Sequence, residues 1–175
     1  MAQAPVIETP RLRLRGCTQA DLDSIAAMLG DADVTRHLTG QPQPREEAWR
    51  RMLTGPGMWA VLGYGYWVVE RREDGAVLGQ VGLADFKRAM EPSIEGLPEA
   101  GWIFATHAHG QGYASEAVTA ALSWADAALA PTQIVAIIDS GNAPSIRLAE
   151  RLGFSGCEEA SYKGEPVLLF RRRVR

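Results

Sequence analysis

The run His109-Gly110-Gln111-Gly112-Tyr113-Ala114-Ser115-Glu116-Ala117 is the stretch whose residue types and spacing could do the most chemistry. Two glycines one residue apart let a backbone turn tightly and come close to a ligand. A helical pattern starts directly after them, and the first N–H groups of a helix have no intrahelical acceptor. Those donors and the helix dipole together favour an anion. Ala114 and Ser115 are small and leave room for a bulky phosphate. The run is a candidate diphosphate site that needs no lysine. A nucleoside-triphosphate loop would end in Gly-Lys-Ser/Thr, which is absent. A dinucleotide fingerprint would need a third glycine where Ser115 stands. On spacing alone, a strand-to-helix turn that needs glycine only for tightness is the competing reading.

The elements that must position this run follow from periodicity. Val6 to Arg15 alternates Leu12 and Leu14 with Arg11, Arg13 and Arg15, which predicts a strand with one wet face. Thr18 to Asp21 opens a helix carrying Leu22, Ile25, Ala26 and Leu29, stopped at Gly30. A second helix is expected after Pro44, with Trp49, Met52 and Leu53 on its apolar side, broken by Gly55-Pro56-Gly57. Strands at Tyr66–Arg72 and Val77–Phe86 flank Glu73-Asp74-Gly75, a hairpin signal. Residues Arg88 to Pro98 carry two prolines and read as a loop. An apolar strand near Gly101–Ala105 then leads into the glycine run. A helix from about Gly112 to Leu129 follows, with Ala114, Ala117, Val118, Ala121, Leu122, Ala125 and Leu129 on one face. Ile134–Ile138 is continuously apolar, as in a strand covered on both sides. A short helix, Pro144–Leu152, ends at Gly153. The last two strands, Ser155–Tyr162 and Pro166–Arg173, turn near Lys163-Gly164-Glu165. The expected class is mixed α/β (α+β), with a largely antiparallel sheet and helices on both faces.

Composition narrows the function. The 175 residues suit a single domain, 1–175, and are 46% hydrophobic and 22% charged. A net charge of −3 implies no general affinity for nucleic acid or membrane surfaces. The basic run Arg171-Arg172-Arg173-Val174-Arg175 reads as a solvated strand end. Neither a secretory leader nor a membrane-spanning run is visible. Cys17 and Cys157 lie far apart without metal-ligand spacing, which fits a reducing, cytoplasmic setting. His107 and His109 form a His-x-His pair with no third ligand nearby, so no metal is expected.

Beyond the glycine run stand Gly101-Trp102-Ile103-Phe104, Asn142-Ala143-Pro144-Ser145 and Leu152-Gly153-Phe154. Together these motifs resemble the GNAT acetyltransferase superfamily. The opening Thr9-Pro10-Arg11-Leu12-Arg13-Leu14-Arg15 with Asp21-Leu22 is similar to its branch of ribosomal-protein alanine and serine N-acetyltransferases. The resemblance runs from about residue 7 to 172. It implies a seven-stranded sheet splayed between the fourth and fifth strands, holding acetyl-CoA, the acyl donor. The family's diphosphate loop maps onto His109, Gly110, Gln111, Gly112, Tyr113, Ala114 and Ser115, acting mainly through backbone N–H groups. His109 stands where the family often has Arg or Gln. The pantetheine arm would pair with the backbone near Phe104. Asn142 matches a cofactor-arm contact, and Ser145 a residue within reach of the thiol.

The implied reaction is acetyl transfer to a primary amine, a protein N-terminus or a small molecule, by direct attack in a ternary complex. An α-amine titrates near ~7.7–8.0 and lysine near ~10.4, so a carboxylate base, directly or through water, is expected. Glu99, just before the fourth strand, is the first candidate and Glu165 a second; each competes with the reading of a solvated carboxylate. A backbone N–H near Phe104 would face the developing oxyanion. Many relatives place an acidic tyrosine after the asparagine. Here that position is Ala149, so Ser145 is the expected donor to the leaving sulfur, with Tyr162 in reserve. Ser145 as an ordinary helix-start residue is the plainer reading. Trp49, Trp59, Tyr64 and Tyr66 would wall the acceptor site or fill core. Glu46, Glu47 and Glu70 would attract a cationic acceptor or merely be solvated. A catalytically silent acyl-CoA-binding module is the alternative function. Dimers are frequent in the superfamily, so a homodimer is allowed.

Overall fold

The computed structural model describes residues 3–174. They form two compact units: the chain up to Gly82 together with Trp102–Ala121, and Leu83–Gly101 together with Leu122 onward. The class is mixed α/β with largely antiparallel strand pairing, as expected.

In the first unit, β1 (Ile7–Glu8) pairs antiparallel with β2 (Leu12–Arg15), and β2 with β3 (Tyr66–Arg71), matching Leu14 to Val69. β3 pairs antiparallel with β4 (Val77–Ala84), matching Trp67 to Val81. The single strand expected over Val6–Arg15 is thus two. Thr9 closes the bend between them: its amide donates to the Leu12 carbonyl at 2.9 Å and its hydroxyl oxygen accepts from the Leu12 amide at 3.0 Å. Helices α1 (Leu22–Leu29) and α3 (Arg45–Leu62), with the four-residue α2 (Ala32–Thr35) between them, lie in the chain between β2 and β3. Ile25, Met28, Leu29, Ala48 and Met52 pack with Val68 and Ile103 into one core. Trp67 is fully buried, edge-on to Trp59 at 4.7 Å.

Gly55-Pro56-Gly57 does not break α3, contrary to expectation. A proline inside a helix strands the carbonyl four residues back, here that of Met52. The Cys17 thiol donates to that carbonyl at 3.5 Å, so the helix runs through. It stops instead at Gly63 (φ +76°). Leu53, expected on the apolar face, is 55% exposed, while Met52 and Trp59 are buried.

In the second unit, β6 (Glu99–Phe104, its first half counted here) runs parallel to β7 (Gln133–Asp139), and the register places Glu99 opposite Val135. β7 pairs antiparallel with β9 (Glu165–Arg173) along its whole length, and β9 with β8 (Ser155–Tyr162). The prolines of 88–98 do not exclude a strand: β5 (Met90–Glu91) pairs with β8, where Met90 faces Tyr162. Splitting the first strand and adding β5 raises the count from the expected seven to nine among the described residues. Ile94, Val135 and Leu169 make the core of this unit. Helices α4 (Tyr113–Ala128) and α5 (Ala143–Arg151) match their expected spans within a residue.

Candidate active site

In the first unit the glycine run leaves β6 at Phe104, makes one tight turn over Thr106–Ala108 and enters α4 at Tyr113. Gly110 (φ +73°) and Gly112 (φ +79°) both adopt the left-handed conformation. L side chains avoid it, so both glycines answer a backbone need. A Cβ on Gly110 would meet no atom within 4 Å; one on Gly112 would meet only Arg11 Nη2, at 3.4 Å. The bend is therefore left-handed and open on its outer side. The first turn of α4 closes with Glu116 N–H donating to the Gly112 carbonyl at 3.1 Å, which leaves the earlier N–H groups without acceptors inside the helix.

Side chains lock this bend. His109 Nε2 lies 2.9 Å from the Phe104 carbonyl, which can only accept, so Nε2 carries the proton. The residue that departs from the family's usual Arg or Gln thus ties the loop to the strand before it. Gln111 Nε2 donates to the His107 carbonyl at 2.7 Å, and the Thr106 hydroxyl to Asp31 at 2.6 Å.

Sequence reasoning missed a further clamp. One Glu116 oxygen accepts from the Thr9 hydroxyl (2.6 Å) and the Arg11 amide (3.0 Å); the other accepts from Arg11 Nε (2.7 Å). Arg11 Nη1 also donates to the Gln111 carbonyl at 2.9 Å, and its guanidinium lies 4.5 Å from the Tyr113 ring centre. Burial alone would raise the Glu116 carboxyl, but these bonds outweigh it and hold the group below the usual carboxylate range. Thr9, Arg11 and Glu116 were all legible as motif residues; nothing in their spacing said that they meet.

The second unit holds the remaining candidates. Glu99 is the first residue of β6 and only 5% exposed, so it is not the solvated carboxylate that was the alternative. Both its oxygens accept from Arg88, Nε at 2.7 Å and Nη2 at 2.8 Å. The Arg88 guanidinium in turn lies 4.7 Å from the ring centres of both Phe86 and Tyr162. Glu165 is exposed. Asn142 caps α5, its Oδ1 accepting from the Ser145 amide at 3.2 Å, so these two candidates sit together. Ala149 is fully buried, and no acid group occupies that position.

Of the acceptor-wall candidates, Trp59 is core and donates from Nε1 to the Tyr66 carbonyl at 3.1 Å. Glu70 is held by Arg13 and Arg15 at 3.3 and 2.7 Å.

The bend is open and left-handed, feeds the first turn of a long helix and has no atom within 4 Å of a Cβ built on Gly110, so it leaves room for an anion at the helix start. A bend of this kind at the start of a helix is an anion-binding geometry. Residues 11–155 match the sequence model of the Acetyltransferase (GNAT) domain, and the chain belongs to that family: it is an acetyl-CoA-dependent N-acetyltransferase. The Bacillus subtilis (strain 168) protein YkkB is 29% identical over 168 residues, covering 94% of each chain. N-acetyltransferase YoaA of the same organism is 30% identical over 154 residues, covering 86% of this chain and 82% of its own. A GnaT-family acetyltransferase structure from Bordetella pertussis superposes with a TM-score of 0.84 at 31% identity, covering 97% of this chain and 99% of that one.

Proposed function

We propose that this acetyltransferase passes the acetyl group directly to a primary amine, on a protein N-terminus or a small molecule, in a ternary complex. The observation that carries the reading is the open bend at Gly110 and Gly112, fixed by His109 on one side and Arg11 on the other. Gly110, Gln111, Gly112, Tyr113, Ala114 and Ser115 hold the diphosphate through backbone N–H groups, with His109 keeping the bend in shape. The backbone at Phe104 accompanies the pantetheine arm, and Asn142 contacts that arm.

Acetyl-CoA supplies an activated acyl thioester; the rest is done by the chain. Glu99 takes the proton of the acceptor amine. Arg88 occupies one hydrogen-bonding site on each Glu99 oxygen, and a carboxylate oxygen can accept a second bond, so a water carries the proton. Ser145 donates a hydrogen bond to the departing sulfur. A thiol titrating near ~8.5 leaves without a stronger acid, so Ala149 in place of a tyrosine is tolerable. We read the chain as one catalytic domain working in the cytoplasm. Among the described residues no helix is long and apolar enough to cross a membrane.

The test is release of the coenzyme A thiol in the presence of N-terminal peptides, amino acids, polyamines and aminoglycosides. Turnover on at least one amine, with kcat lowered about tenfold or more by Ser145→Ala, is the expected result. Acetyl-CoA binding without turnover on any amine would make the protein a silent acyl-CoA-binding module instead.

A further inference from the structure

A cavity of about 380 Å³ opens in the first unit beside the start of α4, lined by Pro10, Arg11, Arg71, Arg72, Glu73 and Tyr113. Three of its six lining residues are arginines and one is acidic. We propose that this cavity is an anion subsite that takes the ribose 3′-phosphate of the acyl donor. The assignment rests on the reading of the neighbouring bend as the diphosphate site.

The arginines are held rather than loose. Arg11 is fixed by Glu116 and by the Gln111 carbonyl. Arg71 donates to Asp74 from Nε at 2.9 Å and from Nη2 at 2.5 Å. Arg72 Nη1 donates to the Thr9 carbonyl at 2.8 Å, with Glu8 a further 3.9 Å from Nη2. A guanidinium carries more N–H donors than these bonds use, so the forks are oriented without being consumed. Forks of this kind match the oxygens of a phosphate.

Arg11 joins the two places. Nη1 sits on the carbonyl of the bend itself, and Nη2 borders the outer side of Gly112. In the donor, the 3′-phosphate is separated from the 5′-diphosphate by the ribose alone, so a cation site adjoining the bend is within its reach. The backbone donors of the bend recognise a diphosphate whatever is attached to it. The arginines would distinguish a donor with the extra phosphate from one without it.

The experiment is calorimetric titration of wild type and of Arg71→Ala/Arg72→Ala with coenzyme A and with 3′-dephospho-coenzyme A. Arg11 is left in place because it also shapes the bend. Wild type is expected to bind coenzyme A about tenfold or more tighter than the dephospho form. The double variant should lose that preference while keeping its affinity for the dephospho form, which also shows that it is folded. Equal affinity of wild type for both ligands, or a preference that survives the double substitution, overturns the subsite and leaves the acyl-donor site standing. Failure of wild type to bind either ligand overturns both. A cavity made for free phosphate would bind inorganic phosphate and leave the two coenzyme forms equal, which likewise overturns the assignment.

Discussion

The Arg88 guanidinium grips both oxygens of Glu99, at 2.7 and 2.8 Å, and lies 4.7 Å from the ring centres of both Phe86 and Tyr162. The carboxylate proposed as the base is therefore buried beside a fixed cation. Glu99 has to serve two ends, balancing Arg88 and receiving a proton, and substitution can separate them.

Glu99→Gln strands the Arg88 cation and is expected to cost about 3 kcal/mol of stability, at the lower end for a buried pair because Arg88 keeps some exposure. Adding Arg88→Met removes the stranded charge and should restore most of that loss. The acetylation rate should not recover in the double variant, since the base is still missing. Urea melts and kcat on the same preparations check this; a double variant with wild-type kcat would leave Glu99 a purely structural residue.

Gly110 and Gly79 should respond to alanine differently, the first mainly in donor binding and the second in stability. A Cβ at Gly110 meets open space, so only the left-handed backbone is penalised, by about 1–2 kcal/mol. That methyl enters the space proposed for the diphosphate, and the acetyl-CoA KM should rise about tenfold or more. A Cβ at Gly79 would strike the Ile103 carbonyl and come within 2.8 Å of Phe104 Cδ1. Gly79→Ala should therefore unfold or strongly destabilise the protein, as a thermal melt will show.

Acid should loosen the molecule through two carboxylates. For both Asp21 and Glu116 burial pushes the carboxyl up, but hydrogen bonds from Arg15 and Thr18, and from Thr9 and Arg11, hold each below its ordinary value. A depressed native value means that the unfolded chain binds the proton more readily. The stability they contribute is then fully present above about pH 4–4.5 and is lost as pH falls through the native values below that. Glu116→Gln should flatten this acid limb, and it should weaken donor binding because Arg11 loses its anchor. Stability measured from pH 3 to 7 tests the first effect and calorimetry the second.

The two thiols should differ sharply in reactivity. Cys157 is exposed, whereas Cys17 is half-buried, bonded to the Met52 carbonyl and pushed up in pKa by burial. One equivalent of a maleimide should react quickly at neutral pH and the second only slowly. Cys17→Ala leaves the Met52 carbonyl without its donor beside Pro56 and should cost about 1–2 kcal/mol. Equal labelling rates would show that the Cys17 contact does not persist in solution.

Much of this protein is legible in one dimension. The glycine run, the apolar face of α4, the continuous apolar run of β7 and the hairpin at Glu73-Asp74-Gly75 are local signals, because backbone conformation and periodicity are set by near neighbours. They were enough to expect the class, the order of the main elements and the place of the glycine bend before α4. Only the tertiary structure decided that Thr9 and Arg11 clasp Glu116, that Arg88 occupies Glu99, that Cys17 rescues α3 at Pro56 and that β5 pairs with β8. Each of these joins residues from separate elements through an ion pair, a few side-chain hydrogen bonds or a short strand pairing. Such contacts leave no periodic trace, since what fixes them is the close approach that folding brings about.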